Sequence, residues 1–360
     1  MGSYSFHKIS KKRLILLAIT FIGILFVLLC RWNTNLAEWY MQIIYPVLAI
    51  SLSYLSNIFP FSLFDVLTIV AMAMLVGGIV QLFRRRLKIL RWLYLVAMSI
   101  TWTALWFYLT WGIGYFRADY YTRSSLSPVT TSLEDFRKIS LQYIEILNNN
   151  YTYVNHIEKS EIDKTIEKSY AQLHEQLRLS YPSGKRKAKR TIYQALQTKM
   201  GITGFFAPFF NEAHVNTSVL PFSYPFTLAH EKAHQLGITS EAECNLYAII
   251  ICTSSDNPQV KYSGYYELVN YLLSALRKVV PIDEYRQVYE KVSEKVRADF
   301  AREYEFWQQA INPGLAELQT KVYDSYLKSN NISSGVINYS EVVELFLAWE
   351  QYKRKEYIAN

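Results

Sequence analysis

The stretch HEKAHQLGITSEAECN, His230 to Asn245, sets the reading of the whole chain. On a helix, residues four apart lie one above the other, so His230 and His234 share a face. That spacing lets two imidazoles reach one zinc ion at about 2.0–2.1 Å, and it places Glu231 between them as general base toward a water. Thr227 is expected to cap the start of this helix, and Gly237 to end it in a left-handed turn. Ser240-Glu241-Ala242-Glu243 then has the pattern of a capping box, in which Ser240 caps the next helix and Glu243 reaches back to its backbone. Glu243 is thereby occupied, which favours Glu241 as third ligand and leaves Glu243 as second choice. Asn245, one turn beyond Glu241, can accept the remaining ring N–H of a ligating histidine; the plainer alternative is an amide on a helix surface.

Outward from this stretch, the chain divides by charge. The sequence has 360 residues, 38 Lys and Arg, 30 Asp and Glu, and a net charge of +8. Ten of the basic residues but only Glu38 and Asp65 among the acidic ones precede Arg117, so the first 116 residues carry the whole excess and the rest is neutral. That distribution reports membrane topology and argues against nucleic acid as a partner.

Residues 14–30, 64–83 and 92–113 are apolar runs suited to crossing a bilayer core, which takes about 20 residues of helix. Basic residues cluster before the first run (Lys8, Lys11, Lys12, Arg13) and between the second and third (Arg84, Arg85, Arg86, Lys88, Arg91). The positive-inside rule puts both clusters in the cytoplasm and everything after Arg117 outside it. Residues 31–63, rich in Trp and Tyr, are expected along the outer membrane face or in a shallow re-entrant hairpin. The expected division is a membrane anchor over 1–116 and a metallopeptidase-like domain over 117–360.

The outer domain reads as mainly α with little β-structure. Apolar residues at spacings of three and four predict helices over Leu133–Asn148, Lys159–Ser180, Tyr265–Val280, Ile282–Gln309, Leu315–Lys328 and Tyr339–Tyr357. Turn signals stand at Tyr181-Pro182-Ser183-Gly184, Asn312-Pro313-Gly314 and Asn330 to Gly335. Strand character is confined to Val215–Phe222, of which Val215–Val219 would serve equally as an edge for a peptide substrate or as a short connector. Cys30, Cys244 and Cys252 do not form a disulfide framework, since the last two fall eight apart on one helix.

Several residues near the motif invite a role. His214 or Tyr224 could stabilise an oxyanion, against the plainer reading of a polar loop. Lys185 to Arg190 reads as a solvated basic loop or, alternatively, as a contact for an anionic lipid or envelope polymer.

Two resemblances add to this reading. Glu241 to Asn245, EAECN, resembles the ExxxD helix of gluzincin metallopeptidases, in which the Glu ligates zinc and the Asp orients a histidine. Asn245 stands in the Asp place here, and the gap between the two motifs is shorter than in most gluzincins. More of the chain is covered by a second likeness. Tyr45-Pro46, PFSLFD at Pro60–Asp65, WGIGYFR at Trp111–Arg117, NEAHVN at Asn211–Asn216, PFTLAHEKAHQLG at Pro225–Gly237 and NISSGVINY at Asn331–Tyr339 resemble an uncharacterised bacterial three-pass membrane family, DUF3810. That resemblance implies three transmembrane helices followed by a zincin-like domain, with Asn the family's own residue at position 245, and supplies no substrate.

The functional expectation is a membrane-anchored zinc-dependent metallopeptidase acting on a peptide or protein. His230, His234 and Glu241 would hold Zn2+, and Glu231 would be the base. The alternative from another class is a catalytically silent zinc-binding membrane scaffold or sensor.

Overall fold

The computed structural model describes residues 11–180, 186–330 and 339–359. The turn at Tyr181-Pro182-Ser183-Gly184, Lys8, Lys185 and most of the NISSGVINY stretch lie outside the described residues.

The N-terminal third is built from apolar helices. α1 (Lys11–Trp32) leads to a short α2 (Thr34–Trp39), a π turn (Tyr40–Ile44) and α3 (Tyr45–Asn57). α4 (Leu63–Phe83) and α5 (Ile89–Thr110) follow, and a 3-10 turn (Gly112–Phe116) leads into the domain. Among the described residues, α1, α4 and α5 are the three helices long and apolar enough to cross a membrane. Their large apolar side chains face outward: Phe21 is 67 % exposed, Met74 72 % and Leu90 78 %. In a water-soluble fold such surface would be costly, at about 25 cal/mol per Å2, so this is a membrane protein. The predicted spans are displaced by up to three residues, because a helix continues past its apolar centre until a cap or glycine stops it. Arg84, Arg85, Arg86, Lys88 and Arg91 sit exposed at the turn between α4 and α5.

The domain is helical, with α6 (Tyr120–Ser124), α7 (Leu133–Asn149), α8 (Lys159–Leu173) and α9 (Gln194–Lys199) leading to a two-stranded antiparallel sheet. β1 (Gly204–Ala207) pairs with β2 (Glu212–Val215) in the register Gly204↔Val215 to Ala207↔Glu212, across a Pro208–Phe210 3-10 turn. α10 (Tyr224–Gln235), α11 (Glu241–Thr253) and α12 (Pro258–Val279) come next, then α13 (Ile282–Tyr289), α14 (Glu294–Ala310), α15 (Pro313–Ser329) and α16 (Tyr339–Ala359). Beyond its polar first turn, α11 is apolar on all sides and forms the middle of the core, packed by α10, α12 and α16.

Three local expectations are corrected. The strand runs over Glu212–Val215 and ends where the sequence pattern placed its start, because Val219 and Phe222 bury into the helical core through a turn. The single helix predicted over Ile282–Gln309 breaks at Val292-Ser293, where Ser293 Oγ caps α14 by accepting from Val296 N at 3.4 Å. Lys185–Arg190 is not a solvated loop throughout: Arg186 is buried against Glu167 at 3.0 Å, and Lys189 against Glu212 at 2.7 Å.

The domain is fastened to the ends of the membrane helices. Glu212 accepts from Leu63 N and Phe64 N, each at 3.0 Å, so a carboxylate from β2 caps the positive N-terminus of α4. Asp65 in that same first turn accepts from Thr191 Oγ1 at 2.6 Å and Ile192 N at 2.8 Å. Arg117 pairs with Glu38 at 2.7 Å, and Asn211 donates to Ala49 O and Ser53 Oγ of α3 at 3.0 and 2.8 Å.

Candidate metal centre

α10 carries eleven buried residues among its twelve, despite the polar composition of its sequence. Burial is tolerated because most polar groups inside are paired, Glu231 Oε2 and Gln235 Oε1 being exceptions. Lys232, between the two histidines and 1 % exposed, donates to Glu167 at 2.6 Å and Arg186 O at 3.0 Å, and pairs with Asp163 at 3.2 Å. This network binds α8 to the back of α10 and turns the histidine face the other way. The helix starts at Tyr224, earlier than Thr227, since Pro225 is compatible with a first turn; Thr227 instead donates back to Ser223 O at 3.2 Å.

Gly237 ends the segment with φ of +94°, a left-handed backbone that turns the chain toward α11. Ser240 caps α11, accepting from Glu243 N at 3.3 Å. The reciprocal half of the capping box is not made, because the Glu243 carboxylate pairs with the half-buried Arg123. Glu243 is still occupied, by a different partner, and Glu241 is the residue turned toward the histidines.

His230, His234 and Glu241 bring their ligand atoms within 4.8 Å of one another. Glu241 Oε2 lies 3.1 Å from His230 Nε2, and Oε1 lies 3.4 Å from His234 Nε2. Both histidines present Nε2 because Nδ1 is engaged elsewhere. His230 Nδ1 meets Asn245 Oδ1 at 2.8 Å, and His234 Nδ1 meets Ile238 O at 2.8 Å, with Cys244 Sγ 3.2 Å away. Two fixed tautomers and a carboxylate facing one point form a donor set that suits a divalent metal with nitrogen and oxygen ligands.

Glu231 is buried beside this cluster, and among the described residues none donates a hydrogen bond to its Oε2. Burial pushes its carboxyl up to about 7, with His230 and His234 pulling the other way. Gly204 of β1 passes so close that a Cβ there would stand 2.6 Å from Glu231 Oε1. A residue with a side chain at 204 would displace the carboxylate.

The other sequence candidates lie elsewhere. His214 stacks on Phe205 at 4.4 Å and bonds Ser62 Oγ at 2.9 Å, at the mouth of α4; burial pushes its imidazole down to about 4. Tyr224 opens α10 nearly two turns before His230, with Lys159 Nζ 4.9 Å over its ring. Neither joins the cluster. The group that does is Tyr323 of α15, whose hydroxyl donates to Glu241 Oε1. It sits 82 positions from its partner, and in the sequence it reads only as one residue of an amphipathic helix. α15 is fixed there by Tyr326, whose hydroxyl is 3.0 Å from that of Tyr115, and by Asn330 Oδ1, which accepts from Tyr108 at 3.0 Å.

Residues 40–347 match the family described as protein of unknown function (DUF3810), and the chain belongs to that family. No curated protein and no solved structure matches the chain.

Proposed function

We propose that the protein is a membrane-anchored zinc metallopeptidase. One observation carries the reading: the two Nε2 atoms and the Glu241 carboxylate converge on one point with the buried, unpartnered Oε2 of Glu231 alongside. His230, His234 and Glu241 would hold the ion, and three protein ligands, where a structural site has four, are what a catalytic zinc site uses. Bound zinc supplies a lowered pKa for a water and polarisation of the scissile carbonyl.

The chain's own residues do the rest. Glu231 takes the proton of the attacking water and gives it to the leaving nitrogen, as the oxygen–carbon bond forms and the carbon–nitrogen bond breaks. Burial, by raising its affinity for a proton, suits it to both halves of that transfer. Asn245 and Ile238 O hold the imidazoles in the tautomer that offers Nε2. Tyr323 holds Glu241 in place by donating to Oε1, the oxygen that also faces His234.

The basic residues at the α4–α5 turn and at the start of α1 support an orientation with those ends in the cytoplasm and the metal centre outside it, in a bacterial cytoplasmic membrane. The test of the activity is hydrolysis of a peptide pool by zinc-loaded full-length protein, with Glu231→Gln as control. Retained zinc with abolished cleavage in the variant is the expected result; undiminished cleavage would refute the assignment.

A further inference from the structure

We propose that the substrate is a polypeptide anchored in the same membrane and cut close to the bilayer surface. This deepens the peptidase reading above and rests on it.

The metal cluster sits at the ends of the spans. α5 has 22 residues, about 33 Å at about 1.5 Å per residue, which matches a hydrocarbon core of about 30 Å. The residue that follows, Trp111, donates its indole N–H to His234 O at 3.0 Å, and its ring lies 5.6 Å from the imidazole. From α3, the Tyr45 hydroxyl donates to Gln235 O at 2.9 Å. One side chain therefore separates a candidate ligand from the mouth of a span.

β1 is held at the same level. Phe64, in the first turn of α4, lies 5.7 Å from Phe205 and 6.0 Å from Phe209. Trp106, in the last turns of α5, donates to Phe209 O at 3.1 Å. One end of β1, Gly204, stands against Glu231, and the other, Ala207, leads into the Pro208–Phe210 turn packed on α4 and α5.

β2 takes one edge of β1, and Lys189 bridges to the far side of β2. Among the described residues no strand pairs with the outer edge of β1. An extended chain can add to such an edge through its backbone. Four extended residues cover about 13 Å. A chain added along β1 thus passes from the span ends to the general base in about four residues. Tethering in the bilayer delivers such a segment at a high effective concentration that a soluble peptide lacks. Hydrolysis there consumes one water, leaves one fragment in the membrane and releases the other, with Glu231 carrying the proton to the leaving nitrogen.

The test uses zinc-loaded full-length protein in proteoliposomes. The substrate is a single membrane-spanning helix followed by a randomised extended segment, compared with that segment alone in solution, and products are read by mass spectrometry. Cuts are expected within about ten residues of the helix end. The anchored form should be cleaved at least about tenfold faster at equal bulk concentration. Equal rates, or cuts spread along the whole segment, would overturn this inference and leave the peptidase reading standing. Cleavage of neither form, with one zinc per chain present, would overturn both.

Discussion

Asn245 Oδ1 lies 2.8 Å from His230 Nδ1, so an amide on α11 fixes which nitrogen of a histidine on α10 faces Glu241. A neutral acceptor serves here where the gluzincin pattern has a carboxylate, and the bond is correspondingly weaker than a charge-assisted one. Asn245→Ala should lower zinc affinity roughly 10–100-fold. Asn245→Asp should raise it. Competition with a chelator measures both, and an unchanged constant in the alanine variant would show that Asn245 does not act on the metal.

Glu241 and Glu243 separate cleanly by experiment. Glu241→Gln should remove stoichiometric zinc with a modest change in thermal stability. Glu243→Gln should keep zinc yet leave the half-buried Arg123 without its counter-charge, a loss of up to about 3 kcal/mol, the lower end for a buried pair. Metal analysis and thermal melts on the two variants check this; zinc lost from the Glu243 variant alone would reverse the ligand assignment.

Tyr323→Phe removes one hydroxyl from Glu241 and nothing from the core. Zinc should bind about tenfold more weakly, by analogy with other outer partners of metal ligands, while the fold persists. Unaltered zinc affinity would limit α15 to a packing role.

Glu167 gives a pH dependence. Burial would raise its carboxyl, but Lys232 and Arg186 outweigh it and hold it down at about 2. An unfolded glutamate titrates near about 4.3. Because the folded value is depressed, the stabilisation is full above the unfolded value and fades as pH falls toward the folded one. The melting-temperature advantage of the wild type over Glu167→Gln should therefore be constant at neutral pH and shrink below about pH 4.5. An advantage that stays constant to pH 3 would exclude this contribution.

The membrane orientation has its own check. An alkaline phosphatase fusion in the 126–131 linker after α6 should be active if that linker lies outside the cytoplasm. An inactive fusion would reverse the topology.

The grouping of His230, His234 and Glu241 was legible because it follows from local geometry: helical spacing, a glycine stop and a serine cap within sixteen residues. The three spans were legible from apolar length alone. What was hidden depends on distant partners. β1 has no alternation in GFFA to announce it, and its place is set by Glu231 and Phe64. Lys189 and Arg186 read as solvated charge because their carboxylates come from Glu212 and Glu167, 23 and 19 positions away. Tyr323 is further still. His214 reads as a catalytic candidate by its nearness in sequence, whereas the hairpin turns its ring toward Ser62 and the membrane helices.

In the proposed reaction Glu231 performs base catalysis at a zinc ion held by its neighbours. The most direct measurement is peptide hydrolysis by zinc-loaded full-length protein beside Glu231→Gln of equal zinc content. The predicted result is cleavage by the wild type and a loss of about 10²–10⁴-fold in the variant. A fully zinc-loaded wild type that cleaves no peptide, anchored or soluble, or a variant that cleaves as fast, would contradict it.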